Sequence, residues 1–572
     1  MVNVKNLFGM AVMATALVGC SSNDNLAPDG KDNVGKAGTA YAKFTIQLPT
    51  VSGTRTAGDP EFNGGTADEY AVNDAQLVIF EKAGASEGEY TCVEHINIGN
   101  LEPWTDNTPN TGVTRYANIT AQLNGVSLDK TGKEYFALII LNNGSESKVT
   151  LPTAGMTYSA WNVANKVQGA AAFLDSSNGF YMANAPQYST GEPTTLVPIK
   201  GVYSTKAEAQ TNPATTVYVE RGMAKVTVNG SDFTIDDASS TYNTDEVKIN
   251  NWTLDVLNKS TFPVHVTTGL KTDFDAIWTT PRFVATGSTP QRVYWGKDPN
   301  YDKSTLTTVA KCQDEFYIVD NNGKTYNGDP SSTFTWSANT TPLYCLENTF
   351  NLANMKQGQT TRVVFKATYT PHNLTGTDKT FFMIGNNTQI WTKDALVAQI
   401  TSKAKEMRKS TAVVVTINTD APLLKGGSHL LSSADVTIKD GSVDLTETFD
   451  YATLNTKLGL NNTEMDVNGK PKVGIKTYEN GECYYIARIK HFNELTPWES
   501  GKVYGTDNAT FLGRYGVLRN NWYNLEVTKF SAPGYPDVPV VNPETLDDED
   551  TKYINVEVKI LDWAKRTQDV EL

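Results

Sequence analysis

Between residues 41 and 49 apolar and polar side chains alternate. Phe44, Ile46 and Leu48 fall on one face, and Lys43, Thr45 and Gln47 on the other. A period of two over this length predicts a β-strand with one buried face, and Pro49 ends it. Further strand-like runs recur at 76–80, 135–141, 225–228, 361–369, 411–417, 484–489 and 525–530. Turn dipeptides punctuate these runs, among them Asn143-Gly144, Asn229-Gly230, Asn322-Gly323, Asn468-Gly469 and Asn480-Gly481. Helical spacing is clear in two places. Residues 393–407 set Leu396, Ile400 and Met407 on one face, and residues 450–458 end at Gly459. Many short strands with turns between them predict a mainly β chain built as antiparallel sandwiches of the transthyretin or immunoglobulin kind. No internal repeat is visible.

The two ends carry the most specific patterns. Residues 1–20 hold Lys5, an apolar stretch from Leu7 to Val18, and then Gly19-Cys20. The stretch is too short to span a bilayer and fits an export signal. The small residue before Cys20 fits a lipoprotein signal, in which the thiol takes the lipid. Residues 21–39 are rich in Asn, Asp, Gly and Lys, cannot pack a core, and read as a tether. After the first strand, residues 51–60 form a loop of small residues that contains Arg55, followed by Thr56. Such a loop suits a protease that cuts after arginine, although most surface arginines are only solvated charges. A cut there removes the first strand and leaves an open groove with an unpaired edge.

At the other end, proline recurs through residues 533–543 and disfavours helix and central strand. The acidic run Asp547-Asp548-Glu549-Asp550 reads as a solvated linker face. Beyond it, Ile554, Val556, Val558 and Ile560 share one face of a strand, opposite Asn555, Glu557 and Lys559. The phase changes at Ile560-Leu561, which predicts a bulge before Trp563. This strand can pair within its own domain, or it can fill the groove of another copy by β-strand addition. The pattern alone weights the two equally. A head-to-tail contact of the second kind does not close on itself and makes a fibre.

Composition narrows the function classes. The chain has 572 residues, 39% hydrophobic and 20% charged, enough for two or more packed domains. Its net charge of -14 argues against nucleic-acid binding, which needs clustered Lys and Arg. Five histidines and five cysteines lie scattered, without CxxC, HxH or HExxH spacing. No GxSxG, P-loop or GxGxxG occurs. Residues 320–323 and Asp329-Pro330 carry fragments of a calcium loop but lack its closing glutamate, so they read as turns. His95, His265, His372, His429 and His491 read as structural or surface groups. An exported chain permits disulfides, and Cys92, Cys312, Cys345 and Cys483 allow three full pairings or none.

With the two ends in view, the internal segments acquire an order. Residues 135–142, 179–185, 220–228 (Glu-Arg-Gly-Met-Ala-Lys-Val-Thr-Val), 344–349 and 517–525 (Val-Leu-Arg-Asn-Asn-Trp-Tyr-Asn-Leu) resemble segments of the fimbrillins, the type V pilins of Bacteroidales. In length the chain is similar to the major subunit of their short fimbriae. The resemblance implies lipidation at Cys20, cleavage of the Arg55–Thr56 bond by an arginine-specific protease, and loss of a first strand carrying Phe44, Ile46 and Leu48. It implies a donor strand carrying Ile554, Val556, Val558, Ile560 and Trp563. Thr56 departs from the small residue, such as Ala, expected directly after the arginine. The implied partners are further copies of the chain joined head to tail, accessory anchor and tip subunits, the protease, and the outer membrane through the lipid. No catalytic residue, metal or cofactor is implied. The organisation expected is a signal at 1–20, a tether and removable strand at 21–55, sandwiches at 56–212 and 213–530, and a linker with donor strand at 531–572. A monomeric surface lipoprotein that binds glycans through its Trp and Tyr is the alternative. It needs neither a removable strand nor a donor.

Overall fold

The computed structural model describes residues 39–49, 66–491, 512 and 514–547, short loops within 66–491 apart, together with the strand Ile554–Leu561. Cys20, Arg55, Thr56 and Trp563 lie outside the described residues.

The chain is mainly β. The strands that organise it are β1 (Ala40–Pro49), β2 (Ala75–Glu81), β3 (Thr91–Gly99), β4 (Val113–Leu123), β5 (Tyr135–Leu141), β6 (Met182–Asn184) and β7 (Thr215–Arg221). They form one large sheet in the order β3-β2-β5-β6-β7-β1-β4, with the short strand Thr105–Asp106 beyond β4 and Val197–Pro198 paired to β5. β1 buries alternate residues, whereas β2 and β5 are apolar runs buried on both faces. Leu77, Ile79, Ala137, Ile139, Phe44, Ile46 and Leu48 are all buried, and each such side chain contributes about 1.5–3 kcal/mol before entropy is counted.

The second half is a sandwich. One sheet has the order β10 (Leu343–Cys345), β8 (Ala224–Asn229), β13 (Trp522–Phe530), β14 (Ile554–Leu561). The facing sheet contains β9 (Glu246–Asp255), β11 (Arg362–Thr370) and β12 (Glu482–Arg488). Val226, Trp252, Phe365, Tyr485 and Leu525 share the core between them. A third core is built on α2 (Lys393–Arg408) and α3 (Tyr451–Lys457), with α1 being the short helix Ala67–Tyr70 far upstream. Leu396, Ile400 and Leu454 pack there with Val413, Val415 and Ile417 of a neighbouring strand. Thr392 caps α2 by accepting the Ala395 N–H, and Gly459, at φ +80°, follows α3 in the left-handed region.

The pairings are not all antiparallel. β1 runs parallel to β7, and β8 runs parallel to β13. Only Gly222 and Met223 separate β7 from β8, so one nearly continuous run passes from the first sheet into the second. Asn480-Gly481 also departs from the simplest expectation. Both residues have positive φ, but the strands they join, Ile475–Tyr478 and β12, belong to different sheets.

One further expectation is corrected. Asp547 is not a solvated linker residue: it is fully buried and accepts the Thr360 hydroxyl at 3.0 Å. An acidic run predicts solvent only when no donor waits for it, and here one comes from a residue far away in sequence. The phase change at Ile560-Leu561 brings no shift of register, and the residues after Leu561 up to Trp563 lie outside the described ones. Pairing of β14 with β13 is unbroken from Leu561 to Val556, and the register shifts between Val527 and Lys529 of β13. The extra residue sits on the partner strand, so the phase of β14 itself could not locate it.

Candidate assembly site

β1 holds an inner place in the large sheet although it lies near one end of the chain. It pairs antiparallel with β4 from Ala40↔Leu123 to Leu48↔Arg115, and parallel with β7 from Phe44↔Thr215 to Gln47↔Tyr218. Ala40, Ala42, Phe44, Ile46 and Leu48 line its buried face. Its other face is partly covered by the helix Lys206–Thr211, whose Gln210 carbonyl accepts the Lys43 ammonium at 3.0 Å. Thr45 Oγ1 donates to Asn118 Oδ1 at 2.7 Å, and Tyr41 exchanges both backbone hydrogen bonds with Tyr203. Taking β1 away leaves two facing strand edges and an apolar floor that includes Ala117, Ile119 and Ala121.

β14 occupies an edge of the second sheet and pairs only with β13 among the described strands. An edge strand can leave without opening the sheet behind it. The segment before it is not free. Tyr535 exchanges backbone hydrogen bonds with Tyr484, the Pro539 carbonyl accepts the Arg362 guanidinium at 2.6 Å, and Val538 and Val541 are buried. Residues 531–547 are thus strapped to the body up to Asp547.

Between these two sites lies a seam of buried charge. α1 brings in Glu69, 1% exposed. Its carboxylate meets Lys225 Nζ at 2.7 Å, accepts the Tyr344 hydroxyl at 2.6 Å, and accepts the Thr66 N–H at 2.8 Å in a capping box. Burial alone would raise this carboxyl, but Lys225 and Tyr344 hold it below the usual carboxylate range. The Lys225 ammonium also sits 3.7 Å from the centre of the Trp522 ring.

Arg221 donates from Nε to the Glu69 carbonyl at 2.7 Å and from Nη1 to Asn520 Oδ1 at 3.2 Å. Its neighbour Glu220 accepts His265 Nδ1 at 2.9 Å and Arg292 Nη2 at 3.1 Å. On the far side of His265, Nε2 lies 3.1 Å from Glu347, an ionic contact outside hydrogen-bond geometry. Glu347 also pairs with Arg519 at 3.2 Å. Burial disfavours a charged His265, yet Glu347 and Glu220 push it up to about 8. Glu347 is subject to burial too, and His265 and Arg519 bring it down to about 2.

The segments 220–228, 344–349 and 517–525, read from the sequence as separate pieces, therefore meet at one seam. Sequence reasoning passed over Glu69, although Thr66-x-x-Glu69 carries the signature of a capping box. It treated His265 as structural, and it is a buried partner of two carboxylates. His372 Nδ1 lies 2.6 Å from Asp245, and His491 Nδ1 lies 2.7 Å from the Tyr523 hydroxyl. Cys92, Cys312, Cys345 and Cys483 are buried free thiols. Asp320 accepts the Lys324 and Thr325 N–H groups of its own turn. Among the described residues no group of three or more His, Cys, Asp or Glu is placed to hold a metal ion, and no helix is long and apolar enough to cross a membrane.

Residues 476–569 match the family model described as the C-terminal part of fimbrillin, major fimbrial subunit protein type IV. No curated protein matches the chain. Solved structures similar to it include a fimbrilin from Porphyromonas gingivalis, with 11% identity, TM-score 0.38, and 93% of this chain and 99% of that one covered. The tip fimbrial protein Mfa3 of the same organism, with a C-terminal truncation, has 10% identity and TM-score 0.28 over 91% of this chain and 100% of that one. A fimbrial assembly protein from Parabacteroides distasonis has 12% identity and TM-score 0.26 over 57% and 94%. The family model spans β12 and β13 and the whole of β14, the strands around the arm of the assembly site. Over this segment the chain is similar to the C-terminal part of the fimbrillins, a family of fimbrial subunits.

Proposed function

We propose that the chain is a polymerising subunit of cell-surface fimbriae that supports adhesion. It is exported as a lipoprotein anchored at Cys20 to the outer membrane. An arginine-specific protease cuts between Arg55 and Thr56, β1 leaves with the anchor, and the strand from Ile554 to Trp563 of another copy takes its place. The observation that carries this reading is the position of β1. An inner strand near the chain end, followed by a small-residue loop with one arginine, is removable by a single cut. Its removal leaves an unpaired groove, which a soluble monomer has every reason to avoid. β14 has the matching form: an edge strand of alternating apolar residues.

In energetic terms, the three large side chains of β1 contribute roughly 5–9 kcal/mol of apolar burial, and a donor must restore a similar amount. Ile554, Val556, Val558 and Ile560 supply four such side chains. The fibre carries further anchor and tip subunits at its ends.

The test is digestion of the precursor, made without lipid, by an arginine-specific protease. A new amino terminus at Thr56 with a ladder of oligomers on an unboiled gel is expected, and deleting residues 553–572 should abolish the ladder. Cleavage elsewhere, or a monomer under all conditions, rejects strand exchange in favour of a monomeric surface lipoprotein.

A further inference from the structure

The seam joins the groove to the arm by a short path. β7 is the parallel partner of β1 and ends at Glu220-Arg221. β13 is the partner of β14 and is entered from Arg519-Asn520-Asn521. Two consecutive residues at the end of one strand thus hold two consecutive residues at the start of the other.

The first route is direct. Asn520 Oδ1 accepts both the backbone N–H and the Nη1 of Arg221, each at 3.2 Å, and the Asn520 N–H donates to the Met223 carbonyl at 2.7 Å. Asn520 sits in the left-handed region, φ +58°, a conformation that Asn tolerates better than most residues. The second route is ionic and runs from Glu220 through His265 and Glu347 to Arg519. Every member of both routes is at most 3% exposed. Gly222, between them, has no room for a side chain. A Cβ there would lie 2.7 Å from the Phe173 ring, which stacks on Tyr181. The junction is packed too tightly for one side to shift alone.

We propose that this seam couples the groove to the arm, so that loss of β1 loosens the hold of β13 on β14. Without β1, residues 215–218 of β7 lose their parallel partner, and β7 keeps β6 as a ladder partner only at 219–221. Apart from the Ala185 N–H on the Tyr218 carbonyl and the Lys200 N–H on the Thr215 hydroxyl, β7 is then steadied at its far end, where Glu220 and Arg221 grip Arg519 and Asn520. A subunit with an intact first strand keeps its arm docked, and a subunit that has lost the strand offers its arm. This inference rests on the strand-exchange reading, and it adds an order to the steps: cleavage arms the donor as well as opening the acceptor.

The experiment compares hydrogen exchange of the full chain before and after cutting by an arginine-specific protease, at dilution where the gel shows monomer. Peptides covering 554–561 report the arm, and peptides covering 362–370 of β11 serve as the control. Cutting is expected to raise exchange at 554–561 at least fivefold, the lower end of ordinary coupling between sites, and to leave 362–370 unchanged. In an Asn520→Gly variant, which keeps the backbone conformation and removes the bridge to Arg221, the increase should shrink. The same cut sample, concentrated, is scored for the ladder. A ladder with unchanged exchange at 554–561 overturns the coupling and leaves strand exchange standing. Faster exchange without a ladder rejects polymerisation and keeps the coupling. Neither change rejects both. The wild-type comparison decides the matter even where the variant does not fold.

Discussion

Glu69 and Lys225 make a buried pair whose members can be removed singly or together, and the geometry sets different costs for each. Glu69→Leu takes away the carboxylate 2.7 Å from an ammonium that is 5% exposed, and leaves that ammonium against the Trp522 ring. It also removes the carboxylate that accepts the Tyr344 hydroxyl and the Thr66 N–H. Breaking a buried pair from one side costs about 3–5 kcal/mol, because a charge stays behind without its partner. A cation–π contact offsets about 2 kcal/mol of that at most. Lys225→Met strands the carboxylate instead, with two hydrogen bonds to steady it, and should cost somewhat less. The double variant Glu69→Leu/Lys225→Met leaves neither charge and fills the space with apolar groups of similar size, so it should recover most of the loss. The assay is urea unfolding of all four proteins, followed by far-UV circular dichroism and by tryptophan fluorescence. Two probes are needed because a chain with several cores need not unfold in one step. With slopes of about 1–3 kcal/mol per M, Glu69→Leu should lower the relevant midpoint by about 1–3 M. If the double variant is as unstable as the sum of the single ones, the pair is not coupled and the reasoning from the 2.7 Å contact is wrong.

Other outcomes follow from the same packing. His265 has its folded pKa raised to about 8 from an ordinary 6.5, so its contribution is complete below pH 6.5 and is lost as the pH rises through 8. That amounts to about 2 kcal/mol, and thermal melts from pH 6 to 9 should show the decline. His265→Gln, which removes the ring that lies among Glu220, Glu347, Arg292 and Arg519, should flatten it. Gly222→Ala drives a methyl into the Phe173 and Tyr181 rings and should cost about 1–3 kcal/mol, read as a lower melting temperature. Asp547→Ala removes one of the two acceptors of the Thr360 hydroxyl and leaves it the Lys356 carbonyl, at a cost of about 0.5–1.5 kcal/mol. Limited proteolysis should then cut within residues 531–547 sooner than in the parent chain, and equal resistance would show that the strap does not depend on Asp547.

How much of this was legible depended on the distance over which each feature is decided. Strands declare themselves locally, since alternation is a property of the strand alone. The expected 135–141 strand agrees with the observed one residue for residue, and β1 and β11 agree within a residue or so. The helices at 393–408 and 451–457 showed because they carry their own caps and apolar stripes. Helices of a single turn, such as α1, were missed because one turn is too short to display a period. Pairing direction was not legible at all. Nothing in β1 says that its partner at residues 215–218 runs parallel to it, since the two lie far apart in sequence and the same alternation serves either direction. The burial of Asp547 failed for the same reason: its donor, Thr360, is remote.

The seam shows why its residues carried a family resemblance without declaring a role. Glu220-Arg221 reads from sequence as two charges at the end of an apolar strand, a place where solvent exposure is the ordinary outcome. Burying them gains little stability over an apolar pair, and it is register that they control. β7 and β8 form nearly one run, and a slip by one residue would turn every side chain in it to the opposite face. Val217 and Val219 could tolerate approximate neighbours. Glu220 and Arg221 could not, because each would then be a buried charge without a partner. The groove edge at residues 215–218 is therefore indexed from its far end, by contacts that do not involve β1. That is the property a reusable groove requires. Under the proposed exchange, an incoming strand would meet a β7 whose register is set by Asn520 and His265, and the apolar floor of the groove would stay in phase with whatever strand arrives.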